Sequence, residues 1–195
     1  MFSSIETIRA GILARMIDQA PDKKLGRTQV MKLFYFLQEL KGADLGYDFR
    51  LFTYGPFDSE VLSDLSTARI WDVVIEKTVV YTRGYGFEIT LGPKADTYID
   101  FIEDNDPKLA TRVDEIVKEF GHLGAAELEL RSTIIFVDRE FASQDRNIAV
   151  DDIVERVRHI KPHFDAEIIR ERVSGFEEKD YLKSPNAHKH ATVQS

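Results

Sequence analysis

The sequence predicts a mainly α-helical protein whose N-terminal half is winged-helix-like, three helices and a β-hairpin, packed with a C-terminal helical part. Three observations predict it. Apolar residues recur at helical spacing in three successive stretches before Trp71. A β-branched and aromatic run broken by glycines follows, over residues 73–91. Helical spacing then resumes at Pro93 and persists to about residue 174.

The first helix opens where Ser3 and Glu6 stand three apart, the spacing of a capping box. Ile5, Ile8, Ile12 and Met16 form its apolar stripe, and Ala20-Pro21-Asp22 stops it. A second helix runs from near Thr28 to Leu40 on Val30, Leu33, Phe34, Leu37 and Leu40, with Gly42 as its end signal. Phe49–Tyr54 reads as a short strand closed by Gly55-Pro56, a strand-to-helix turn. Asp58 caps a third helix that reaches Ile70 and turns Val61, Leu62, Leu65 and Ala68 inward. Val73–Thr82 and Phe87–Leu91 make a hairpin whose tip is Arg83-Gly84-Tyr85-Gly86, the glycines supplying positive φ.

In the second half, Asp106-Pro107 is an N-cap followed by proline at the first helical position. Leu109, Val113, Ile116, Val117 and Phe120 line that helix. Residues 121–124 break the chain, and a helix through Leu128, Ile134, Ile135 and Phe141 follows. Shorter helices fit 150–160 and 165–174, separated by Lys161-Pro162. The division expected is 1–92 for the winged-helix-like part, 93–183 for the helical part, and a tail over 184–195.

Composition narrows the function. Hydrophobic residues make up 43% and charged residues 31% of 195, a globular profile. The absence of cysteine excludes disulfides, thiol catalysis and thiolate zinc sites. No stretch approaches the roughly 18 apolar residues of a membrane span, and the N-terminus lacks the basic start of a signal peptide. A cytoplasmic protein with no membrane partner is the expectation.

Chemistry-bearing patterns are sparse. His159 and His163 are four apart, but Pro162 removes the helix that would aim both at one ion. The acidic pairs Glu127/Glu129, Asp151/Asp152 and Glu177/Glu178 read as caps and solvated faces. The glycines at 84 and 86 lie in a hairpin rather than before a helix, so they build no phosphate loop. No catalytic residue, metal ligand or cofactor is expected, and an enzyme of unrecognised class stands as the second alternative.

The stretch Lys24–Asp64 carries a resemblance. Leu25-Gly26-Arg27-Thr28, Lys32-Leu33-Phe34-Tyr35-Phe36-Leu37-Gln38, Phe52-Thr53-Tyr54-Gly55-Pro56-Phe57 and Glu60-Val61 resemble the YwgA-like bacterial proteins. The same pattern is similar to the antitoxin domain of DNA ADP-ribosyl glycohydrolase antitoxins and, more distantly, to the Panacea antitoxin domain. Weaker similarity continues through Tyr85–Gly92 and Ile160-Lys161-Pro162-His163-Phe164. The resemblance implies a domain that binds and neutralises a toxin or scaffolds a defence complex. The chain has no room for a macrodomain, so glycohydrolase activity is not implied. Gly26, Lys32, Tyr35, Gly55 and Pro56 of the motif read most simply as structural.

Charge separates the binding hypotheses. The formal charge is −8, yet residues 1–50 hold eight Lys/Arg against six Asp/Glu. Lys23, Lys24, Arg27 and Lys32 form the basic cluster on which a DNA-binding regulator, the first alternative, depends. The third helix, which in a winged helix enters the major groove, offers Asp58, Glu60 and Asp64 against Arg69 alone. A protein partner is therefore expected, of basic character such as a toxin or nuclease, with homo-oligomers also open. Its surface is expected at Tyr54, Phe57, Asp58, Glu60, Asp64, Arg83 and Tyr85.

Overall fold

The computed structural model describes residues 5–82, 84–144 and 148–184. The protein is mainly α-helical, with a helix–strand N-terminal part and a helical C-terminal part. It divides into two compact units. One comprises the chain up to Arg50 together with Phe57–Leu128, and the other comprises Leu51–Pro56 together with the chain from Glu129 onward. Thus the helices of residues 95–120 belong with the winged-helix elements.

In the first unit, α1 (Ile5–Gln19) is the central helix. Ile12, Leu13, Ala14, Met16 and Ile17 are all at most 1% exposed, so it is covered on nearly every side. A short 3-10 turn at Pro21–Lys23 leads into β1 (Lys24–Leu25), a strand the sequence pattern is too short to reveal. Next come α2 (Arg27–Lys41) and, later in the chain, α3 (Ser59–Ile70). Gly42 ends α2 in the left-handed conformation (φ 63°), its N–H bonding to the Leu37 carbonyl. Asp58 caps α3 by accepting from the Glu60 N–H at 2.8 Å.

β4 (Val74–Tyr81) and β5 (Gly84–Leu91) form the wing, and β1 adds to β5, giving an antiparallel sheet in the order β1-β5-β4. Three helices followed by a two-stranded wing is the order that the sequence predicts, and β1 between α1 and α2 is an addition to it. The register pairs Tyr81 with Gly84, Val80 with Tyr85 and Val79 with Gly86, so residues 84–86 lie in the ladder of β5 rather than in the tip. Gly84 takes positive φ (136°), whereas Gly86 pairs with Val79 inside the ladder.

The segment between α2 and α3 also differs from expectation. It holds two short strands, β2 (Arg50–Phe52) and β3 (Gly55–Phe57), paired as a second hairpin. Gly55-Pro56 therefore begins a strand instead of closing one, and the turn lies at Thr53-Tyr54. Gly55 has φ 86°, the conformation that requires glycine just after such a turn.

α4 (Ala95–Asn105) and α5 (Pro107–Phe120) complete the first unit. α4 lies against α1 at Gly11, where a Cβ would sit 2.4 Å from Ile102 and 2.7 Å from the Tyr98 carbonyl. Any side chain there would push the two helices apart. Asp106 caps α5 through the Leu109 N–H (2.9 Å), and all five predicted stripe residues are buried. Phe120 stacks on Phe36 of α2 with ring centres 4.2 Å apart.

α6 (Ala125–Ala142), α7 (Val150–Ile160) and α8 (Ala166–Glu178) follow. α8 extends one turn past the predicted end. Asp138 of α6 is fully buried, and its carboxylate accepts from the Lys183 N–H (2.8 Å), the Ser184 N–H (3.1 Å) and the Ser184 hydroxyl (2.7 Å). Ser184 is thus pinned rather than the start of a loose tail, while 185–195 lie outside the described residues. Among the described residues no helix is long and apolar enough to cross a membrane.

Candidate functional site

The acidic residues of α3 do not form an open face. Arg9 of α1 reaches them from inside the unit at 3% exposure, its Nε and Nη2 donating to the Leu45 carbonyl at 2.9 and 2.5 Å. Its Nη1 donates to Asp64 Oδ2 at 3.2 Å and to a Glu60 carboxylate oxygen. Tyr47 lies under the guanidinium, 4.2 Å from ring centre to Cζ, and donates its hydroxyl to Asp64 Oδ2 at 2.8 Å. Asp64 is 8% exposed.

Burial pushes the Asp64 carboxyl above the usual aspartate range, although the Tyr47 hydrogen bond and the Arg9 charge pull the other way. Burial and the Asp64 charge likewise raise the Tyr47 hydroxyl. Burial works against the Arg9 charge, but its hydrogen bond to Glu60 and the fields of Tyr47 and Asp64 hold its pKa above the ordinary value. The arrangement is a clamp that fixes the loop at Leu45–Tyr47 between α1 and α3. Asp64, expected to meet a basic partner, is instead buried against Arg9, whereas Glu60 pairs with Arg9 while its side chain stays 51% exposed. Helical periodicity misleads here because it places Asp64 one position from Leu65 without revealing an arginine across the core.

Asp58 is similarly occupied. Its Oδ1 caps α3, and its Oδ2 accepts from the Asp48 N–H at 2.7 Å. Phe57 is half-buried. Arg83 lies outside the described residues. Tyr85 is 74% exposed on β5, directly across from Val80 of β4, itself 83% exposed.

The basic cluster does not stand as a set of open cations. Lys23 pairs with Asp18 at 2.7 Å and Lys24 with Glu88 at 3.0 Å. Arg27 lies 3.5 Å over the Phe87 ring and bonds Glu76 through both Nε (2.6 Å) and Nη2 (2.9 Å). Lys32 is 2% exposed inside α2, so it belongs to the core. The other motif residues are structural too. Gly26 precedes α2, its N–H bonding Gln29 Oε1 at 2.8 Å, and Tyr35 is buried with its ring edge-on to Phe49 at 5.1 Å. Pro56 is buried in β3.

In the second unit, Tyr54 (73% exposed) and Phe52 (58%) occupy the β2–β3 hairpin. Lys161, the residue after α7, is 2% exposed, and its ammonium donates to the Thr53 carbonyl and, at 2.5 Å, to Glu129 Oε1. It fixes the turn that presents Tyr54. Lysine before proline at a helix end is the only sequence signal for it, and that pattern is common to solvated lysines. His159 and His163 are exposed, and no group of three or more His, Asp or Glu among the described residues is placed to hold a metal.

No protein-family model matches the chain, and no curated protein matches it.

Proposed function

We propose that the protein is a non-catalytic protein-binding module, of the antitoxin-like or defence-associated kind suggested by the resemblance of Lys24–Asp64. One observation carries the protein-binding reading. The cations a DNA reader would aim at phosphates each have a carboxylate beside them or, for Lys32, are buried, whereas large apolar and aromatic side chains stand exposed on both hairpins: Phe52 and Tyr54 on one, Val80 and Tyr85 on the other. Nucleic-acid affinity comes mainly from Lys and Arg that displace phosphate counterions, and ion-paired cations supply little of it. Exposed aromatics supply contact area at low entropic cost, which suits a protein interface.

The test is site-specific photocrosslinking in the cells the protein comes from, with a benzophenone amino acid at position 54, 85 or, as control, at exposed Lys108 on α5. A discrete protein adduct at 54 or 85 and none at 108 is the expected result. Nanomolar duplex-DNA binding at about 0.15 M salt, abolished by Lys23→Ala, Lys24→Ala or Arg27→Ala, would overturn the reading in favour of a transcriptional regulator.

A further inference from the structure

The wing leaves one sheet edge open. β4 is the outer strand of the order β1-β5-β4. In a two-residue hairpin the pair flanking the loop, here Tyr81 and Gly84, exchanges both backbone hydrogen bonds, and bonded pairs then alternate along the ladder. Ile75, Lys77 and Val79 therefore bond to β5. The backbone N–H and C=O groups of Glu76, Thr78 and Val80 point outward along the edge, whereas Val74, 2% exposed, is covered.

Natural sheets usually protect such an edge with charges, proline or a bulge. β4 carries Val74, Ile75, Thr78, Val79 and Val80 with two charged residues, Glu76, whose side chain is buried against arginines, and Lys77, which stands across from Glu88 on β5. Beside the first half of this edge runs a groove of about 520 Å³ between the end of α3 and β4, whose lining includes Arg69, Ile70, Asp72, Val74, Ile75 and Glu76. Ile70 is 79% and Ile75 42% exposed, which is apolar surface without a cover within the unit.

Charge says what fits. Glu76, with its side chain 5% exposed, is shared by two guanidiniums, Arg27 at 2.6 Å and Arg69 at 3.2 Å. One carboxylate facing two arginines leaves an unbalanced positive charge, and Arg69, 48% exposed, is its open end. The nearby Lys94–Asp72 pair, 3.2 Å apart, cancels itself.

We propose that the β4 edge and the α3–β4 groove bind an extended, acidic peptide segment of a protein partner by strand addition. The segment's backbone bonds Glu76, Thr78 and Val80, a β-branched or aliphatic side chain covers Ile70 and Ile75, and an Asp or Glu carboxylate takes the solvent side of Arg69. The proposal rests on the protein-binding reading and names one site and partner chemistry for it. It replaces the basic partner expected from sequence, because Asp64 is buried and Asp58 and Glu60 are engaged by the Asp48 N–H and Arg9.

The probe is a display library of random twelve-residue peptides panned on the immobilised full chain. The expected consensus alternates Val, Ile or Thr with polar residues and contains at least one Asp or Glu. The enriched peptide, fluorescein-labelled, should lose at least tenfold in affinity for Thr78→Pro, which removes an outward N–H without removing a β5 ladder bond. It should lose a similar factor for Arg69→Glu and recover it when its acidic residue is changed to lysine. Amide shifts in the bound state should centre on Glu76–Val80. A basic consensus, no enrichment, or binding indifferent to both variants would overturn the proposal. So would a chain that is dimeric at micromolar concentration and becomes monomeric on Thr78→Pro, which would assign the edge to a second copy. Crosslinks at 54 or 85 that persist in Thr78→Pro and Arg69→Glu would sink this site alone, whereas no crosslink anywhere would sink the protein-binding reading itself.

Discussion

Each unit holds a loop carbonyl with a buried cation, but the two solve the problem differently. In the first, the Arg9 fork spreads its charge over the Leu45 carbonyl, two carboxylates and the Tyr47 ring. In the second, Lys161 is a compact ammonium with the Thr53 carbonyl and Glu129 as its partners among the described residues. A planar guanidinium offers five donors in fixed directions, so one lost acceptor leaves the rest engaged. An ammonium with a single counter-ion has no such reserve. The difference teaches where each unit is fragile: the first is fragile at its cation, the second at its carboxylate.

The largest effect should come from Glu129→Ala, which strands a buried ammonium and is expected to cost about 3–5 kcal/mol. Glu60→Ala removes a half-exposed partner while Asp64 remains, and should cost less than about 1 kcal/mol. Urea unfolding of the full chain followed by circular dichroism measures both. Trp71, the sole tryptophan, lies in the first unit and reports on that unit separately. Equal losses for the two variants would break the comparison, since both clamps would then depend on their carboxylates alike.

How much of this was legible in the sequence follows from the range of each interaction. The capped helices at Asp58 and Asp106, the left-handed Gly42 and the stripe of α5 depend on neighbours within a turn, and periodicity reads those. The β1 strand depends on pairing Lys24 with Thr90 and Leu25 with Ile89, far along the chain, and two residues carry no period of their own. The clamps were illegible for the same reason: Arg9 and Asp64 are 55 positions apart, and Lys161 and Glu129 are 32 apart. A carboxylate on a helix surface reads as solvated until the cation opposite is known. The helix pattern alone thus points Glu60 and Asp64 at a partner, whereas Tyr54 at the β2–β3 turn and Tyr85 near the end of the wing are exposed, as their places in the hairpins suggest.

A smaller effect sharpens the role of fork geometry. Arg9→Lys keeps the charge but cannot bond Leu45, Glu60 and Asp64 together, so a buried acceptor goes unmet at a cost of about 1–3 kcal/mol. The same urea titration read by Trp71 fluorescence checks it. A variant as stable as the wild type would show that charge alone, and not the fork, holds the loop.

The smallest effect, and the most direct test of the balance inside the first clamp, is the pH dependence of Asp64→Asn. Burial raises the Asp64 pKa against the pull of Tyr47 and Arg9, so the folded state binds this proton more tightly than the unfolded chain does. The contribution of the group is therefore fully present below the ordinary aspartate value of about 3.9 and is lost as pH rises through the raised folded value. Glu76 behaves in the opposite sense. Its hydrogen bond from Arg27 lowers its pKa, and its contribution is lost as pH falls through that lowered value, so the total stability curve mixes the two. Subtracting the Asn variant isolates Asp64. The wild-type-minus-variant difference in unfolding free energy should decline as pH is raised from about 3.5 to 7, and at pH 7 the variant should lie within about 1 kcal/mol of the wild type. A difference that instead grows with pH would mean that Arg9 and Tyr47 outweigh burial, and the clamp would then draw net stability from the ionised carboxylate.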